Sequence, residues 1–185
     1  MPTVELALDE LRAVTAFAVV CARTALPIVP HDEARPGEAV DAARAFAEGG
    51  RRTKAIRDGA WAAQRAATEA RDDGRPAASE AARAAVAAAG AAYLHPLARA
   101  KQVRHILGAA AHAARALELV ADDPGVGDAH VRALADRATP VVVEVLCRYP
   151  RAPAGGGRVG ELVRVLDVVL RQRSPRSPER GGSEA

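Results

Sequence analysis

Large side chains for filling an interior are scarce in this sequence. Its 185 residues include one Trp, two Tyr, two Phe and one Met, with aromatics at 3%. The core must therefore be held by many small contacts rather than a few large ones, since a buried leucine contributes roughly 1.5–3 kcal/mol and an alanine methyl nearer ~0.8. Serine is also rare: Ser79 is followed only by Ser174, Ser177 and Ser183, three of them in the last twelve residues. No serine nucleophile with its base can be assembled from that set. The five histidines are scattered, with no H-x-x-x-H, E-x-x-H or C-x-x-C spacing to hold a metal, so no metal or cofactor is expected. Gly155, Gly156 and Gly157 precede a helix but lack the Gly-Lys-Ser/Thr ending and the strand that a phosphate loop needs. The only cysteines are Cys21 and Cys147. Cys21 falls on the apolar side of the first expected helix, where a reduced core thiol is expected.

No secretory leader is expected at the start of this sequence. The first eleven residues are acidic and have no basic segment leading into an apolar one. The longest apolar stretch, 139–147, is interrupted by Pro140 and Glu144 and is too short to span a bilayer. A cytoplasmic location is expected, without a membrane partner.

What is abundant is alanine. Hydrophobic residues make up 49% of the chain, which excludes a disordered polymer, and much of that share is alanine. Alanine has the best helix propensity and lets helices approach closely. The formal charge is +3, and Arg far outnumbers Lys. Much of the basic excess sits in Arg171, Arg173, Arg176 and Arg180. No aromatic is interleaved there to stack on bases, so a solvated tail is expected rather than a nucleic-acid surface.

Seven helical stretches can be read, with no competing strand signal. The first covers about 8–26 and is ended by Pro27 and Pro30. The second follows the acids and Pro36 of 31–36 and stops at Gly49 and Gly50. Thr53 is placed to cap a third, reaching about Arg71. A fourth, about 77–94, is nearly all alanine; a fifth covers about 97–120. A sixth covers about 128–149, with Pro140 kinking or splitting it, and a seventh about 157–173. The expected architecture is an all-α, single-domain bundle of about seven mostly antiparallel helices over 1–173, followed by a disordered basic tail, 174–185.

Two polar stripes stand out. On the fifth helix His105 and His112 lie in line with Lys101 and Arg115, opposite the apolar face of Val103, Ile106, Ala110, Ala114 and Leu117. That placement predicts a solvent-facing stripe unless another helix covers it. On the third helix Arg57, Trp61, Gln64, Thr68 and Arg71, spaced 4, 3, 4 and 3 apart, flank an alanine face of Ala60, Ala63 and Ala67. This stripe reads either as a partner-binding strip, since Trp and Arg anchor interfaces, or as a boundary where Trp61 covers the core edge and the polar groups reach water.

The order of short motifs resembles a bacterial, chiefly actinobacterial, family of small alanine-rich helical immunity proteins. The C-A-x-x-x-L-P pattern is met by Cys21 through Pro27. Asp32 and Arg35-Pro36 follow, then Ala42 through Gly49 for A-A-R-x-[WF]-A-x-G. Arg57 through Ala67 matches R-x-x-A-x-A-A-H-x-A-A, and His105 through Ala110 matches H-x-x-G-A-A. The resemblance covers about the first two-thirds of the chain. Gln64 stands where that pattern has histidine, and a His pair near Ala87 and Tyr93 is missing unless His95 substitutes. The resemblance implies a protein that neutralises a cognate toxin by contact, needing a complementary surface and no reaction. The positive charge is opposite to that of immunity proteins against nucleases, and points to another target or another job.

Two functions are thus expected in competition. The first is an immunity-type binding protein with a protein partner and no catalysis, its partner surface drawn from Arg35, Arg44, Arg57, Trp61, Gln64 and Thr68. The second is a helical enzyme or enzyme subunit of a biosynthetic pathway, in which Arg35, Arg44, Arg57, Trp61 and Gln64 wall a pocket for an anionic small molecule.

Overall fold

The computed structural model describes residues 3–173. Eight α-helices follow in chain order: α1 Leu8–Arg23, α2 Arg35–Ala47, α3 Lys54–Asp72, α4 Pro76–Ala91, α5 Val103–Ala121, α6 Pro124–Ala135, α7 Pro140–Cys147 and α8 Gly157–Gln172. Single 3₁₀ turns occupy Leu26–Ile28 and Ala100–Gln102. Among the described residues the β-type pairing is one isolated bridge, Thr3 with Leu97. The all-α single-domain expectation holds. The expected tail, 174–185, lies outside the described residues.

Local chemistry sets half of the helix starts. Four helices, α2, α4, α6 and α7, carry proline in the first turn, where its missing N–H costs nothing. Asp123 caps α6 by accepting the Gly125 N–H at 2.7 Å. This start lies four residues before the one expected near Asp128, because 122–125 both end α5 and begin α6. Pro140 divides the expected sixth helix into α6 and α7, because a proline inside a helix breaks the ladder but opens one readily. Thr53 stands at the N-cap of α3 in extended conformation, yet its side chain makes no cap bond.

The core is organised around α4 and α5. Helix α4 buries Ala78, Ala81, Ala82, Ala84, Ala85, Ala88, Ala89 and Ala91 and packs against α1, α2, α3 and α5. Methyl-sized contacts let these backbones come close, which the aromatic-poor composition demands. At the α2–α3 crossing Gly59 goes further, for a Cβ there would stand 3.2 Å from the Ala39 Cα. Volume is supplied mainly by Ile106, Leu107, Leu146, Leu162, Leu166 and Leu170, all fully buried. Ser79 is a stitch in this core rather than a nucleophile, its hydroxyl donating to the Ala67 carbonyl at 2.7 Å.

Residues Leu8–Ile28 form the stretch among those described that is long and apolar enough to cross a membrane. Attention to 139–147 alone overlooked it. In the fold its apolar side, including Val14, Phe17, Ala18, Cys21 and Ala22, packs into the core. Burial pushes the Cys21 thiol far up, as expected of a reduced core cysteine.

Helix α8 is clamped by charge. Glu118 of α5 is only 2% exposed and accepts from Arg115 and, at 3.0 Å, from Arg158 Nε; Arg158 also reaches Asp128 at 2.8 Å. Gly127 makes room for this carboxylate, since a Cβ there would overlap it. Near the other end Arg171 pairs with buried Asp167 at 2.7 Å, and Arg173 donates to the Ala135 carbonyl and to Asp136. Arg171 and Arg173, expected in a solvated tail, are therefore fastened to the fold.

Candidate functional site

The α3 stripe is on the outside of the molecule. Trp61 is 63% exposed, so it does not cover the core edge. The inner side of the same helix buries Ile56, Ala63, Ala66, Ala67 and Ala70. One turn before Trp61, exposed Arg57 has no hydrogen bond or ion pair among the described residues. One turn after it, Arg65 makes no direct ion pair, although its charge reaches Glu69. Gln64 is half-buried, its side-chain amide has no partner among the described residues, and the Thr68 hydroxyl donates to the Gln64 backbone carbonyl at 3.1 Å.

The remaining candidates, Arg35 and Arg44, are engaged in ion pairs. Arg35 is held by Glu33 and Glu69, which tie the start of α2 to α3. Those hydrogen bonds raise the Arg35 pKa and lower that of Glu33. Arg44 lies on the outer face of α2 in ion pairs with Asp41 at 3.3 Å and Glu48 at 3.4 Å. Both arginines are occupied by carboxylates of their own chain, and the five residues expected to wall a pocket are spread over the outer faces of α2 and α3.

The histidine stripe of α5 is where the fold departs most from expectation. A cleft of about 520 Å³ lies along it, bounded by α4 and the start of α8. His105 and His112 line this cleft with Glu80, Arg83 and Arg104, over Val86, Ala87, Gly108, Val159 and Val163. The stripe is covered because α5 buries residues nearly all round, leaving it in a groove between neighbours. The His105 Nδ1–H donates to the Gly90 carbonyl at 3.0 Å, and the His112 Nδ1–H donates to Glu80 Oε2 at 2.6 Å. Burial lowers the His105 pKa, with nearby Lys101 acting in the same direction. Arg83, Arg104 and Glu80 escaped the sequence reading. The readable signal was the apolar residues on both sides of α5, since a helix buried on two faces carries its polar stripe along a groove.

A wider surface hollow, about 820 Å³, lies between α1 and α6. In it Thr24 donates its hydroxyl to the Cys21 carbonyl and accepts from His130 Nε2 at 2.9 Å. His95, the possible substitute for the missing pair, sits outside the α-helices, where its Nδ1 accepts from the Leu97 N–H at 3.1 Å. Among the described residues no cluster of three or more His, Cys, Asp or Glu could hold a metal.

The sequence matches the family described as "Imm-5 like putative immunity protein" over residues 5–137. The chain belongs to that family. The matched span of this immunity-family protein runs from before α1 through the end of α6, and so contains the whole α3 stripe. Helices α7 and α8, with the α8 wall of the histidine cleft, lie beyond it. No curated protein and no solved structure matches the chain.

Proposed function

We propose that this chain is an immunity-type protein that acts in the cytoplasm by binding a toxin through the outer face of α3, with no reaction of its own. One observation carries the reading: within the matched span, the only Trp stands in solvent beside an arginine that has no carboxylate. A core this short of large side chains has every use for a Trp, yet this one is 63% exposed. Exposed Trp and Arg side chains are the residue types that dominate binding energy at protein interfaces. Arg57 asks for a partner carboxylate, so the surface fits an acidic patch, and binding should weaken as salt rises. A basic binding surface also fits the net charge of +3 and argues against a nuclease whose own active site is basic.

The test is growth rescue. A toxin encoded beside this chain's gene is expressed in a sensitive host, alone and together with the chain. Rescue by the wild type and its loss in a folded Arg57→Ala/Trp61→Ala variant support the reading. Full rescue by that variant removes α3 from the mechanism, and absence of rescue by the wild type removes the immunity role.

A further inference from the structure

The cleft between α4, α5 and α8 contains two arginines whose hydrogen-bonding capacity is unused. Arg83 comes no nearer than 3.9 Å to its carboxylate neighbour Glu80, and its Nε is shielded from solvent without any hydrogen-bond partner. Arg104, exposed at the rim of the cleft, has no hydrogen bond or ion pair among the described residues, and its Nη2 lies against Gly156. Gly156 has a φ of +79°, a conformation that favours glycine, and it brings the start of α8 against that nitrogen. A buried guanidinium N–H left without an acceptor is destabilising, and folded proteins rarely tolerate one without a ligand or water to accept it.

The rest of the lining points the same way. Glu80 is the cleft's carboxylate, and His112 already holds it at 2.6 Å. Both histidines spend Nδ1 inside the protein and leave Nε2 without a protein partner. Between the polar groups the surface is apolar, formed by Val86, Val159 and Val163. The volume, about 520 Å³, is that of an ordinary small-molecule site.

We propose that this cleft binds a small organic anion, its phosphate or carboxylate taken by Arg83 and Arg104 and its apolar body lying on the three valines. Guanidinium forks match both oxyanions. This site is separate from the α3 surface, involves helix α8 outside the matched family span, and stands or falls independently of the toxin-binding reading.

The experiment is calorimetric titration of the full chain with phenyl phosphate, benzoate and inorganic phosphate. Phenyl phosphate or benzoate binds, and the tighter of the two identifies the head group. Arg83→Gln and Arg104→Gln each weaken that binding at least about tenfold, while Arg132→Gln on α6, outside the cleft, leaves it unchanged. Glu80→Gln removes the cleft's negative charge and strengthens it. Circular dichroism confirms that each variant is folded. The proposal is overturned if neither aromatic anion binds, if folded Arg83→Gln and Arg104→Gln bind as the wild type does, or if Glu80→Gln weakens binding. Inorganic phosphate binding as tightly as phenyl phosphate overturns the role of the apolar floor.

Discussion

His112 donates its Nδ1–H to Glu80 Oε2 at 2.6 Å, joining the two central helices α5 and α4 side chain to side chain. Beside that pair small residues bring the helices close, with Gly108 against Ala87. The pair is half-buried, and it fixes the imidazole orientation and occupies one oxygen of the one carboxylate lining the cleft.

Close packing of small residues makes the core intolerant of added volume. Ala63 is fully buried on the inner face of α3. Replacing it with leucine inserts three carbons where neighbouring helices meet, and should destabilise by about 1–3 kcal/mol. Ala55, on the exposed side of the same helix, should accept leucine within about 0.5 kcal/mol. Urea unfolding of both variants measures the difference; equal behaviour would mean α3 is turned the other way.

The charge clamp on α8 should be sensitive to its buried member. Glu118→Gln leaves Arg115 and Arg158 without their shared carboxylate and should cost about 2–3 kcal/mol. Gly127→Ala should also destabilise, because the new methyl overlaps the same carboxylate. Thermal melts of the two variants and their double mutant should show less than additive losses, since both act on one carboxylate.

Acid should unfold the protein in two stages. His105 titrates below its ordinary 6.5 because burial disfavours its charged form. The unfolded chain therefore binds more protons as pH falls through 6.5, and stability declines. Glu10, hydrogen-bonded by Arg148, and Glu33, hydrogen-bonded by Arg35, titrate below the ordinary 4.5. Their contribution is intact above 4.5 and lost as pH drops through the lowered values. Denaturation midpoints between pH 8 and 3 should fall gently at first and then steeply, and His105→Asn should flatten the first part.

The helical fold was legible because its signals are local. Alanine-rich periodic stretches, first-turn prolines and glycine stops marked the helices and the break at Pro140, while the Asp123 cap and the 3₁₀ turn that delays α5 to Val103 needed the coordinates. The α3 stripe was legible as a pattern, but whether Trp61 pointed inward or outward depends on which neighbours α3 finds. The histidine cleft was misread for a related reason. Periodicity assigns a stripe to the side away from the larger apolar residues, yet alanine is too weak a marker to reveal that α5 is enclosed by both α4 and α8. Arg83 drew no notice in a run of alanines, because nothing in its own sequence neighbourhood says that its Nε will be buried without a partner.

The most direct test of the account is the affinity of the purified neighbouring-gene toxin for this chain and for two single variants, Arg57→Ala and Trp61→Ala, measured by calorimetry at low and high salt. Both side chains are exposed, so neither change should lower the melting temperature appreciably. The account predicts that each variant loses about 2 kcal/mol or more of binding, roughly thirtyfold in Kd, and that salt weakens the wild type more than Arg57→Ala. Wild-type affinity in both folded variants, with an unchanged salt dependence, would contradict it.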